Sequence, residues 1–169
     1  ELHGLRVLVV DDNDVNRAIF RKQLEAWGVA VETVVDGPAA LAALAAAEAR
    51  RALPDGAIVD VMMPGMGGDE LVRRIRASAA YRGVKLIVAS SIGTRGVADR
   101  LHDIDVLAYF TKPVSPSALF ERLASLDEGA EAGKAAAAIA PEKPEVPAVA
   151  LRILLAADNA INQMVGAGI

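Results

Sequence analysis

The sequence contains no cysteine, which excludes disulfides, thiolate metal sites and cysteine nucleophiles. Aromatic residues amount to only 4% against 53% hydrophobic overall, so a core must be built from Val, Leu, Ile and Ala. No apolar run approaches the roughly 18 residues that a membrane-spanning helix needs. Basic residues are not in excess: 18 Lys and Arg face 22 Asp and Glu, a net charge of −4. A clustered basic face is therefore not expected, and nucleic acid is an unpromising partner. The opening Glu1-Leu2-His3-Gly4-Leu5-Arg6 has neither the layout of a signal peptide nor an initiating Met, and is expected to belong to a piece of a longer protein. The 169 residues suffice for one domain with a real core plus something extra, and a soluble cytosolic module is expected.

What is present is an alternation. Arg6 to Val10 is a β-branched run closed by two aspartates, the pattern of a strand buried on both faces. Val15, Ile19, Phe20, Leu24 and Trp27 recur at helical spacing from Asp14 to Trp27, and Gly28 ends that helix. Strands are expected over Val29 to Val35, Ala57 to Asp60, Val84 to Ala89 and Val106 to Phe110. Helices are expected over Ala39 to Arg51 (Leu41, Leu44 and Ala45 on one face), Asp69 to Ser78, Arg95 to His102, and after Ser115-Pro116, where Leu119, Leu123 and Leu126 share a face. Five strands alternating with five helices predict an α/β domain over residues 1–127, a doubly wound parallel sheet with helices on both faces.

Beyond it the composition changes. Residues 128–150 are rich in Ala and Gly and then carry Pro141, Pro144 and Pro147, which reads as a semi-extended linker. Residues 151–169 repeat the beginning: Arg152 to Gln163 aligns without a gap on Arg6 to Arg17, with Asp158, Asn159 and Asn162 opposite Asp12, Asn13 and Asn16. The chain is thus expected to hold one whole unit and the first strand and helix start of a second, whose first acidic position is Ala157.

Asp11, Asp12, Asp60, Ser90 and Lys112 each close an apolar run. In an open parallel sheet such positions border the ligand crevice at the carboxyl ends of the strands. Asp-Asp-Asn after a strand is by itself an ordinary turn with a helix cap, and a lone lysine is usually solvated. Together they form a donor set. A hard cation such as Mg²⁺ takes one or two carboxylates, water and a phosphate oxygen. Three like charges at one edge repel, which raises the proton affinity of at least one of them unless a cation is bound. A carboxylate can attack a phosphoryl group, and a cation with an ammonium can neutralise the charge on its oxygens.

Val9-Val10-Asp11-Asp12-Asn13, Asp60 to Gly68, Ser90-Ser91 and Thr111-Lys112-Pro113 resemble the receiver domain of two-component response regulators over roughly residues 5 to 127. The resemblance implies a flavodoxin-like sheet of order 2-1-3-4-5. It implies Asp60 as phosphoacceptor from a histidine kinase or histidine phosphotransfer domain, Asp11, Asp12, Asp60 and the Met62 carbonyl as Mg²⁺ ligands, and Lys112 against the phosphoryl group. It further implies Ser90 as switch hydroxyl, Tyr109 as the aromatic that follows it, and a cis Lys112-Pro113 bond. Asn13, Asn16-Arg17 and Trp27-Gly28 resemble receivers embedded in hybrid sensor histidine kinases, and the second start resembles a tandem receiver. The kinase core of the same parent chain is then a possible partner, and the parent could be membrane-anchored. Gly67 departs from the family, which usually has an acid there.

Two other readings stand beside this one. In the first, a receiver-like interaction module regulates an adjacent kinase core by docking or ligand binding. In the second, a metal-dependent phosphatase passes through an aspartyl phosphate; such an enzyme would want a second acid where Met62 sits. The fragment itself is not expected to turn over substrate, and its oligomeric state is left open.

Overall fold

A computed structural model describes residues 2–91 and 94–127. The expected linker over 128–150 and second unit over 151–169 lie outside the described residues. Within them the alternation holds: β1 (Arg6–Val10), α1 (Asp14–Ala26), β2 (Ala30–Val34), α2 (Gly37–Ala49), β3 (Gly56–Asp60), α3 (Gly68–Ala77), β4 (Lys85–Ser90), α4 (Thr94–Arg100), β5 (Ala108–Thr111) and α5 (Pro116–Asp127). The five strands form one all-parallel sheet in the order β2-β1-β3-β4-β5.

Successive strand residues point to opposite faces, and the sheet is apolar on both. Leu8, Val10, Val59, Leu86 and Val88 pack with Ala40, Leu44, Leu71, Ile75 and Val97, so α2, α3 and α4 cover one side. Val7, Val9, Ile58 and Ile87 pack with Phe20, Leu24, Leu119 and Leu123, so α1 and α5 cover the other. β3, at the centre, is buried throughout. Each fully buried Leu or Ile contributes about 1.5–3 kcal/mol of apolar burial. The segment before β1 joins this core: Leu2 and Leu5 are buried, and the Leu2 N–H donates to the Trp27 carbonyl at 2.9 Å.

Several expected details are corrected. The inward face of α1 is Phe20 and Leu24, whereas Val15 (61% exposed) and Ile19 (57%) face solvent. In α2 the inward face is Ala40, Leu44 and Ala47; Ala45 is exposed. That helix begins at Gly37, because Asp36 caps it, accepting from the Ala39 N–H at 2.8 Å, and Pro38 suits its first turn. β2 stops at Val34 and leaves Val35 half exposed. β3 starts one residue earlier than Ala57, since Gly56 pairs with Val7 and Lys85. α4 runs Thr94–Arg100, β5 starts at Ala108, and a 3-10 turn at Ala79–Tyr81 links α3 to β4.

Candidate functional site

Strand register gathers the singled-out residues. Val10 lies beside Val34 and Val59, Asp60 beside Ala89, and Ser90 beside Thr111. The positions after β1, at the end of β3 and β4, and after β5 therefore share the carboxyl edge of the sheet. There one carboxylate oxygen from each of Asp11, Asp12 and Asp60 lies within 4.8 Å of the others. Asp11 and Asp60 are buried and Asp12 is exposed, so the cluster opens to solvent on one side.

Lys112 reaches into the cluster. Its Nζ donates to Asp11 Oδ2 at 2.6 Å and lies 2.8 Å from Asp60 Oδ2. Burial works against the charge of this ammonium, but hydrogen bonds to Asp11 and Asp60, with the charges of both, outweigh it and hold its pKa above the ordinary lysine value. The Lys112 N–H donates to the Ser90 carbonyl at 2.8 Å, and the Lys112-Pro113 peptide is cis, as the resemblance implied.

The two buried aspartates are each held by their own loop. Asp60 Oδ1 accepts the Met62 N–H at 3.1 Å, which leaves Oδ2 toward Lys112. Asp11 Oδ1 accepts the Asn13 N–H at 2.9 Å. Asn13 in turn caps α1, accepting from the N–H groups of Val15 and Asn16 at 2.9 and 3.2 Å, a contact worth about 1 kcal/mol. The β3–α3 loop closes on itself where the Gly68 N–H donates to the Val61 carbonyl at 3.0 Å. Here α3 meets the end of β3 so closely that a Cβ at Gly68 would stand 2.1 Å from the Asp60 carbonyl oxygen. Met66 from the same loop fills the space a Cβ at Gly37 would need, its sulfur 2.5 Å from that point.

Ser90 is buried at the end of β4. Tyr109, on β5 beside Val88, is half-buried and donates its hydroxyl to the Leu101 carbonyl at 3.3 Å. Burial first, then the charges of Asp103 and Asp105, raise its pKa. The segment it binds is also held from α3. Arg73 grips Asp103 with both terminal nitrogens, at 2.9 and 3.2 Å, and Arg76 Nε donates to the Asp105 carbonyl at 2.9 Å. A cavity of about 190 Å³ between α2 and the β1–β2 edge, lined by Ala43, Ala47, Arg6 and Arg50, lies away from the aspartates.

The geometry thus brings Asp11, Asp12, Asp60 and Lys112 together and puts Ser90 on the same edge, with Met62 adjoining. Hard oxygen donors in this number suit a small divalent cation. Sequence reasoning left unassigned the grip of Asn16 and Arg17 on Asp11 and the close approach at Gly68. Half-burial of polar side chains in a first helical turn, which would have pointed to the former, is not visible in sequence.

A family profile described as the response regulator receiver domain matches residues 7–124. Response regulator PleD of Caulobacter vibrioides is 37% identical over 123 residues, 72% of this chain and 26% of that protein. Transcriptional regulatory protein TcrA of Mycobacterium tuberculosis is 34% identical over 125 residues, 73% of this chain and 46% of that protein. The chain thus spans less than half the length of these relatives. Among solved structures, the Vibrio cholerae chemotaxis protein CheY4 is 29% identical with a TM-score of 0.62, over 72% of this chain and 98% of that one. The receiver domain of sensor histidine kinase PA1611 from Pseudomonas aeruginosa PAO1, which carries a magnesium ion coordinated in its active-site cleft, is 28% identical with a TM-score of 0.62 over 73% and 97%. With this fold and this acidic edge, the chain belongs to the response regulator receiver domains of two-component signalling.

Proposed function

We propose that Asp60 accepts a phosphoryl group from the phosphohistidine of a histidine kinase or histidine phosphotransfer domain, and that its modification resets the surface around Tyr109. The observation that carries this reading is the Lys112 ammonium held between Asp11 and Asp60, at 2.6 and 2.8 Å, beside three clustered carboxylates. Asp60 Oδ attacks phosphorus, the P–N bond breaks, and the imidazole nitrogen leaves with the electron pair and takes up a proton. Lys112 turns from Asp60 to an equatorial phosphoryl oxygen. Asp11, Asp12, Asp60 and the Met62 carbonyl are the residues that hold Mg²⁺, which when bound neutralises charge on the phosphoryl oxygens.

The donor's route is supported by the exposed apolar residues next to the site. Val15 and Ile19 on α1, the helix that follows Asp11 and Asp12, and Met62, two residues past Asp60, are exposed and suit a helix that presents its histidine to this edge. Ser90 and Tyr109 are the switch pair: a new dianion on Asp60 draws the buried hydroxyl, and Tyr109 leaves the Leu101 carbonyl to follow. A hybrid sensor kinase with tandem receivers is the parent we favour, working in the cytoplasm. The repeat of Arg6–Arg17 at Arg152–Gln163 supports it.

Incubation with acetyl phosphate and Mg²⁺ tests the reading. The wild-type chain is expected to acquire hydroxylamine-labile phosphate, read as a mass shift, and Asp60→Asn none. Uptake by Asp60→Asn at the wild-type level overturns the assignment.

A further inference from the structure

Two polar side chains in the first turn of α1 turn back onto Asp11. Asn16 Nδ2 donates to Asp11 Oδ1 at 3.3 Å, the oxygen that also accepts the Asn13 N–H. Arg17 Nη1 donates to the Asp11 carbonyl oxygen at 2.6 Å. Both side chains are half-buried, whereas Asp14, Val15, Ala18 and Ile19 around them are exposed. With two amides on Oδ1, only Oδ2 is left for Lys112 and a cation.

We infer that Arg17, with Asn16 beside it, is a positioning residue for the cation site, fixing the Asp11 backbone so that Oδ2 faces Asp12 and Asp60. This rests on the reading of the cluster as a Mg²⁺ site. The internal repeat supports it independently. Opposite Asp11 and Arg17 stand Ala157 and Gln163, while Asn13 and Asn16 recur as Asn159 and Asn162. An alanine keeps the backbone carbonyl that the guanidinium binds. The guanidinium disappears together with the carboxylate, not with its acceptor, which is the pattern of a group serving the carboxylate.

The rival account makes Arg17 a mere counter-charge, and it has the opposite sign. Removing a cation beside three carboxylates should tighten the binding of a dication, whereas releasing a ligand from its support should weaken it.

The test is calorimetric titration of MgCl₂ into the unphosphorylated full chain, with thermal unfolding recorded without Mg²⁺. Arg17→Met, which keeps much of the side-chain bulk and removes the donors, is expected to weaken Mg²⁺ about tenfold, the scale of lost outer-shell support. Arg17→Lys keeps the charge without the planar fork and is expected to fall between. Equal or tighter binding by Arg17→Met overturns the inference while leaving the site reading intact, and a wild-type chain that takes up no Mg²⁺ overturns both. Should Arg17→Met unfold early, Arg17→Lys decides, and wild-type affinity there overturns the inference.

Discussion

Adding one methyl group at Gly68 should disturb both the fold and the proposed phosphoacceptor Asp60, while the same change one residue earlier should do neither. A Cβ at Gly68 stands 2.1 Å from the Asp60 carbonyl oxygen and 2.8 Å from the Asp60 carbonyl carbon and the Val61 Cα. All three are backbone atoms at the end of the central strand. Ordinary contact lies near about 3.5 Å, so α3 and β3 must part by roughly 1 Å. Overpacking of this kind costs about 1–3 kcal/mol, and against backbone the upper end applies. At about 4 °C per kcal/mol for a domain of this size, the melting temperature falls by roughly 8–12 °C. The same shift pulls the Asp60 carboxylate from Lys112 Nζ, now 2.8 Å away, beyond hydrogen-bonding distance. At Gly67 the backbone is extended, with φ −64°, and a Cβ would press only on the tip of the Asp69 side chain, at 2.7 Å. Gly67→Ala should stay within about 0.5 kcal/mol of wild type. Urea unfolding of both variants, paired with acetyl phosphate labelling, gives the comparison. Equal stability of the two alanine variants, or full labelling of Gly68→Ala, would refute the close-approach argument.

Two further predictions concern a helix end and the alkaline limb. Arg51 closes α2 with φ 53°, its N–H donating to the Glu48 carbonyl and the Ala52 N–H to the Ala47 carbonyl, an end motif that glycine satisfies without strain. Arg51→Gly should gain about 0.5–1 kcal/mol, read as a higher urea midpoint; a lower one refutes it. The two tyrosines of the chain both have raised pKa values, Tyr109 by burial first and then Asp103 and Asp105, Tyr81 by burial first and then Glu48. Ultraviolet difference titration should find both ionising above the ordinary value of about 10. Because Tyr109 and Lys112 are shifted upward, their contributions to stability are complete below their unfolded-state values and are lost as pH rises through the folded ones. Denaturation midpoints should therefore fall on the alkaline side, and a tyrosine ionising at its ordinary pKa contradicts this.

The sheet and the edge cluster were legible in sequence because both rest on short-range signals. Unbroken β-branched runs mark doubly buried strands, and the candidate site residues sit where those runs stop. Lys112 and Asp11 meet across most of the domain, yet each lies one position past a strand end, so parallel register puts both on one edge and the long lysine side chain reaches across it. What was not legible depended on neighbours. Val15 and Ile19 carry the same apolar signal as Phe20 and Leu24, and only the seat of α1 on the sheet tells which pair is buried. In α2 alanine occupies both inner and outer positions, so the pattern could not say that Ala47 rather than Ala45 faces in. The grip of Arg17 on a backbone carbonyl has no sequence signature, since every residue carries one.

Leu2 and Leu5 fix where this domain can be cut. The residues recognisable as receiver begin at Val7, but a fragment trimmed to that point would lose two buried leucines and the Leu2 hydrogen bond to Trp27. Trp27 packs edge-on against Phe120 of α5, ring centres 5.2 Å apart, so trimming would unroof the seam between the first and last helices. The short stretch upstream of the first strand is a hem sewn into the fold. Any cable from a preceding module pulls directly on that seam, at the end of the sheet opposite the aspartates.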